Sequence, residues 1–215
     1  MKSRQYTGLD RGVLALDGIL KKMAPSASDR QQRSYPAEAH PESSVNDAER
    51  KHIAGLMRVN HAGEIAAQAL YRAQSLTARS EALQQAMRQS ADEESDHLEW
   101  CERRLQELDD HSSYLEPVWY CGSFGIGLLA GSLGDNWNLG FLAETEHQVV
   151  RHIDSHLGQL PKHDQRSRSI LEQMREDKLQ HAVSAKEACA EQLPRSVKRL
   201  MQLTSSIMTT TAYRI

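Results

Sequence analysis

Four segments of this chain carry an apolar stripe at helical spacing, and each stripe is broken near its middle by an acid or an imidazole. The first reads Ile53, Met57, Asn60, Glu64, Ala67, Tyr71, and the second Leu83, Met87, Ser90, Glu94, His97, Cys101, Leu105, Leu108. The third reads Leu139, Leu142, Glu146, Val149, Ile153, Leu160, and the fourth Leu171, Met174, Lys178, His181, Ala185, Ala188. Residues three and four apart share one face of a helix, so these patterns predict four amphipathic helices packed by their stripes. The expected ranges are about Asp47–Ser80, Glu81–Asp109, Asn136–Leu160 and Asp164–Gln192. Pro194 then opens a fifth amphipathic helix through Val197, Leu200, Met201, Leu203 and Ile207. No stretch alternates as a strand would, so the expected class is all-α.

A glutamate in a core stripe is costly unless it is paired or bound to a cation. A salt bridge or a tunnel-lining group accounts for one such break. Three glutamates and two histidines in equivalent places on four helices call for a common cause. A pair of divalent metal ions offers one, because each ion takes several hard oxygen and imidazole ligands. Helical phase separates ligand from surface charge. In "ADEESDHLEW" (91–100), Glu94 and His97 lie on the Met87–Cys101 face, while Asp92, Glu93, Asp96 and Glu99 are expected to face water or neighbours. Glu146 belongs to its stripe and Glu144 does not. The layout suggests two helix hairpins, each giving a lone Glu and then a downstream His, and is similar to the four-helix bundle of ferritin-like di-iron carboxylate proteins.

The fourth stripe departs from that pattern. Three residues before His181 stands Lys178, where a second Glu-x-x-His would have Glu. Two readings stay open for Lys178: a snorkelling surface lysine on a slightly rotated helix, or a lost ligand. Asp177, four before His181, is the nearest acid that could reach inward, on a shorter side chain.

Composition narrows the rest. The 215 residues carry a net charge of −3, which suggests no nucleic-acid partner. Aromatics make up only 5% of the chain, so the core must be aliphatic, which suits helices. Three scattered cysteines, Cys101, Cys121 and Cys189, favour a reducing compartment, and the first residues lack an apolar signal region, so export is not expected. Residues 1–46 are expected to form an amphipathic helix at Leu9–Met23 and a mobile Pro/Ser/Gln-rich linker, leaving 47–215 as the bundle. Between the second and third stripes, Pro117–Gly134 holds no charged side chain and six glycines fall between Gly122 and Gly140. Eighteen uncharged residues are marginal for a membrane span. The segment at about 116–136 is therefore expected to be an interfacial element dipping into one leaflet, with Trp119, Tyr120 and Trp137 in the headgroup belt. A helix buried in an oligomer interface or against the Leu9–Met23 helix is the alternative.

The motifs "LMRVNHAGEIAAQALYRAQ", "ADEESDHLEWC", "ETEHQVVRHIDSHL", "ILEQMREDKLQHA" and "TTTAYRI" together resemble the demethoxyubiquinone hydroxylase family, over roughly Asp47–Ile215. The resemblance implies a ferritin-like bundle with extra interfacial helices and two iron ions held by Glu64, Glu94, His97, Glu146 and His181. The family's sixth ligand, a Glu, aligns with Lys178, which leaves Asp177 as a substitute. It also implies supporting roles near the metal for His152 and Tyr213. The implied reaction is ring hydroxylation of a polyprenylated methoxybenzoquinol with dioxygen in ubiquinone biosynthesis. Two electrons would come from NADH, the quinol or a partner reductase, since the chain shows neither a cysteine quartet nor a dinucleotide-binding glycine motif. Implied partners are the quinol, other ubiquinone-synthesis proteins, further copies of the chain and the cytoplasmic face of a bacterial inner membrane. Two other readings remain: a ferritin-like iron-oxidising or peroxide-reducing protein, and a non-catalytic lipid-binding scaffold whose metal site has decayed.

Overall fold

The computed structural model describes residues 33–188 and 190–215, and one compact unit runs from Ser34 to Ile215. After a 3-10 turn at Pro36–Ala39 come six helices: α1 Asp47–Thr77, α2 Glu81–Glu107, α3 Glu116–Ser132, α4 Asp135–Gln159, α5 Gln165–Glu187 and α6 Arg195–Ala212. The described residues contain no strand. The expected helix at Leu9–Met23 lies outside the described residues, as does Cys189.

Local chemistry sets the boundaries. Asn46 caps α1 by accepting from the Ala48 and Glu49 amides, and the Glu49 carboxylate accepts from the Asn46 amide in return. Ser80 caps α2, and Asp164 caps α5. Asp135 accepts from the Arg79 and Ser80 amides at 2.8 and 3.0 Å, which ties the α1–α2 turn to the start of α4. Gly134 precedes α4 with φ +116°, a conformation that an L side chain would strain. α5 stops at Glu187 and not near Gln192. The chain turns back so that the Glu191 amide donates to the Asn136 carbonyl, and the Glu191 backbone lies against Gly140.

α1 packs against α2, and α4 against α5, which gives the two hairpins. α3 lies along α1 as a fifth helix of the bundle. Its small residues make that approach possible. A Cβ at Gly127 would come within 2.6 Å of the Leu70 carbonyl oxygen, and Gly131 faces Thr77 as closely. The larger Val118 and Leu129 stay exposed on the other side. Among the described residues no helix is long and apolar enough to cross a membrane.

The stretch after Arg33 is packed and not a free linker. Ala37 is fully buried, and the Tyr35 ring sits 4.1 Å from the Arg103 guanidinium while its hydroxyl donates to Glu107. The compact unit therefore begins before the expected boundary at 46.

Two large apolar clusters, beside a small third one at Val59, Ala62 and Ala212, form the core, and α1, α2, α4 and α5 contribute to both large ones. One holds Ile53 and Met57 of α1, Cys101 and Leu105 of α2, Ile153 of α4 and Ile170 and Met174 of α5. The other holds Tyr71 of α1, Met87 of α2, Leu142 of α4 and Ala185 of α5. Along every helix, the charged break in the stripe falls between the residues given to one cluster and those given to the other. The result is a polar layer between two dry cores.

Candidate metal centre

Each bundle helix supplies this layer from the middle of its buried face, where the apolar stripe already points inward. Glu64, Glu94, His97, Glu146 and Lys178 are all at most 2% exposed, and His181 is partly buried. Donor atoms of Glu64, Glu94 and His97 lie within 4.8 Å of one another, and so do those of Glu94, Glu146 and His181. The five residues singled out by helical phase are thus brought together, with Glu94 common to both groups.

The two imidazoles are held alike. His97 Nδ1 faces Glu94 at 2.9 Å and Glu64 at 3.3 Å, and its Nε2 lies 2.9 Å from Asp177 on α5. His181 Nδ1 faces Glu146 at 3.0 Å, and its Nε2 lies 2.6 Å from Glu93 on α2. A carboxylate on the outer nitrogen fixes the ring and directs the inner nitrogen's lone pair into the site, as around metal-bound histidines. Asp177 thus grips His97 from the side away from the glutamates and does not itself enter the layer. Glu93, expected to face water or neighbours, has His181 as that neighbour. Tyr71 donates to Glu146 at 2.6 Å.

Lys178 is not a snorkelling surface residue. Its side chain is 0% exposed, and its ammonium donates to Glu64 Oε2 at 2.8 Å and Glu94 Oε2 at 2.5 Å. Burial works against that charge, but Glu64, Glu94 and Glu146 around it raise its pKa above the ordinary lysine value. Burial, aided by Glu64, pushes the Glu94 carboxyl up to about 7 despite Lys178. Burial acts on Glu64 too, but the Lys178 ammonium and hydrogen bonds with Glu94 and His97 hold it well below the usual carboxylate range. Although burial disfavours the imidazolium, hydrogen bonds to Glu146 and Glu93 lift His181 to about 10.

A family model described as "Ubiquinone biosynthesis protein COQ7" matches residues 51–212. The chain belongs to the COQ7 family. It is 53% identical over 208 residues to the 3-demethoxyubiquinol 3-hydroxylase of Polynucleobacter necessarius subsp. necessarius, covering 96% of this chain and 99% of that one. Identity is 50% over 215 residues with the enzyme of that name from Nitrosococcus oceani, across the full length of both. With the one from Stutzerimonas stutzeri it is 50% over 212 residues, 99% and 98% of the two chains.

The donor set fits a divalent metal ion. Glu94 Oε1 and Glu146 Oε2 are buried and accept no hydrogen bond, an expensive arrangement for carboxylate oxygens unless a cation engages them. They flank His181, which itself lines a cavity of about 400 Å³ together with Leu83, Met87, Leu139, Leu142 and Ala185 and the polar Ser90 and Ser184. The cavity is mostly apolar and runs between α2, α4 and α5. Sequence periodicity gave no sign of it, because a groove is a relation between helices.

Two further candidates sit apart from the five donors. The ring of His152 lies 4.0 Å from that of His156, whose Nδ1 is 2.9 Å from Asn60 Nδ2, one helical turn from Glu64. His152 Nε2 is buried with no hydrogen bond. Tyr213 packs its ring on Gly55 and pairs its hydroxyl with His52 Nδ1 at 2.7 Å. Gly55 precedes Glu64 by nine residues on α1, roughly 13 Å along the axis at 1.5 Å per residue. Tyr213 thus closes the α6–α1 contact and makes none with the glutamate layer.

Proposed function

We propose that the chain hydroxylates the ring of a polyprenylated methoxybenzoquinol with dioxygen, as a step of ubiquinone biosynthesis. The observation that carries this is the convergence of buried Glu and His donors from four helices, one of which, His181, also lines a mostly apolar groove. The names of relatives about half identical over the whole chain agree with it.

Glu94, Glu146 and His181 are the residues that would hold iron, with Glu64 and His97 beside them in the same layer. Iron bound there would pass externally supplied electrons to dioxygen and so activate it toward the aromatic ring. The chain's own groups prepare the site. Glu93 and Asp177 orient the two imidazoles, Tyr71 positions Glu146, and the dry cores on either side exclude water. The groove takes the quinol ring toward His181 between Met87 and Leu142, while Leu83, Leu139 and Ala188 accommodate the first part of the prenyl tail. Two electrons per turnover enter from outside, from NADH, the quinol or a partner reductase.

The substrate's tail places the enzyme at a lipid surface. Val118, Leu129 and Leu133 in and just after α3, and Leu200, Leu203 and Ile207 on α6, are large apolar side chains left exposed. These helices support peripheral binding at the cytoplasmic face of a bacterial inner membrane, and the same surfaces suit assembly with further copies or other ubiquinone-synthesis proteins. An iron-storing or peroxide-reducing bundle would have no use for an apolar groove ending at a ligand.

The test is complementation of a bacterium lacking its own demethoxyubiquinol hydroxylase. The chain is expected to restore ubiquinone, and Glu146→Ala, still helical by circular dichroism, to leave the demethoxy precursor accumulating. Restoration by Glu146→Ala would reject the site.

A further inference from the structure

The two hairpins repeat one set of contacts. On α2, Glu93, Glu94 and His97 stand at relative positions 1, 2 and 5, and on α5 those positions hold Asp177, Lys178 and His181. The outer nitrogens are exchanged between them: Asp177 holds His97, and Glu93 holds His181. Glu64 faces His97 just as Glu146 faces His181. In this correspondence Lys178 is the counterpart of Glu94. One half of the layer therefore presents an ammonium where the other presents a bridging carboxylate.

The two halves differ accordingly in what their oxygens do. On the Glu64 side, Glu64 Oε2 and Glu94 Oε2 already accept from the Lys178 ammonium. On the Glu146 side, Glu94 Oε1 and Glu146 Oε2 accept nothing, although both residues are fully buried. The Lys178 ammonium already stands between Glu64 and Glu94 where a second divalent ion would have to bind, and a cation beside it would meet like charge.

We infer that this chain holds a single divalent ion, at Glu94, Glu146 and His181, and that the Lys178 ammonium takes the electrostatic place of a second ion beside Glu64 and His97. This rests on reading the layer as a metal centre.

The experiment is anaerobic loading of the chelator-stripped full-length protein with Mn²⁺, counting ions per chain by mass spectrometry and recording the electron paramagnetic resonance spectrum. The native protein is expected to bind one ion with the six-line spectrum of isolated Mn²⁺. Lys178→Glu is expected to bind two, with the spectrum of a coupled pair. Glu64→Gln keeps the single ion, whereas Glu146→Gln weakens it more than about tenfold. This pair decides the matter even if Lys178→Glu does not fold. Two coupled ions in the native protein, or equal losses in Glu64→Gln and Glu146→Gln, would overturn the single-ion inference and leave the metal centre standing. No bound ion in either the native protein or Lys178→Glu would overturn both.

Discussion

Glu93 on α2 holds His181 on α5 across the mouth of the polar layer, with 2.6 Å between the carboxylate and Nε2. Its side chain is 34% exposed. A solvated acid thus links the two hairpins at the edge of the groove, and directs the other imidazole nitrogen inward.

Glu93→Ala is therefore expected to lower metal affinity by about 10- to 100-fold, the usual loss when the carboxylate behind a ligating histidine is removed. Thermal stability should change little, because the carboxylate is half in solvent. Titration of the stripped variant with Mn²⁺ reads this directly, and unchanged affinity would show that His181 needs no outer partner.

Much of this centre was legible in the primary chain. Glu64, Glu94, His97, Glu146 and His181 interrupt stripes whose period already fixed which way each helix faces, so their convergence followed from packing stripe on stripe. The role of Glu93 was not legible, because phase on α2 says only that it leaves the buried face, not that α5 waits beside it. Lys178 shows the same limit. Its stripe placed it inward, but burying an ammonium makes sense only once Glu64 and Glu94 arrive from the other hairpin. The uncharged run from 117 to 134 read as an interfacial element, and nothing in it showed that Gly127 and Gly131 answer to the nearness of the α1 backbone and Thr77. Tyr35 and Ala37 sit in a stretch whose composition resembles a linker, and their burial depends on Arg103 and the α5 surface.

The α3–α1 contact can be tested by size. Gly131→Val drives a side chain into Thr77 and is expected to destabilise by about 1–3 kcal/mol, as overpacking does. Gly122→Ala, with open space around its Cβ position, should be neutral or stabilise by up to about 1 kcal/mol through helix propensity. Urea unfolding of both variants checks the contrast. Equal effects would place α3 off α1.

The groove can be closed without touching the donors. Ala86 lies on its wall, and Ala86→Trp is expected to raise KM for the quinol more than tenfold with the metal content of the native protein. A loss of bound metal would mean that the wall supports the centre and not the substrate.

Acid should loosen the bundle through His156. Burial, helped by the nearby His152 and His52, depresses its imidazole to about 3 from an ordinary 6.5. A histidine kept neutral in the folded state contributes stability that is complete above its unfolded pKa. That contribution is lost as pH falls from about 6.5 toward 3, since the unfolded chain binds the proton first. His156→Asn keeps a polar group beside Asn60 and is expected to flatten the fall in melting temperature over that window. A slope identical to that of the native protein would assign the acid sensitivity elsewhere.

On the proposed reading, the glutamates and histidines of the four helices meet in order to hold iron. Anomalous diffraction at the iron edge, from crystals of the anaerobically loaded protein, is the decisive measurement. The expected result is a peak inside the polar layer, in contact with Glu94, Glu146 and His181. Iron bound only at the protein surface, with Glu94 and Glu146 left facing each other and no peak between them, would contradict it.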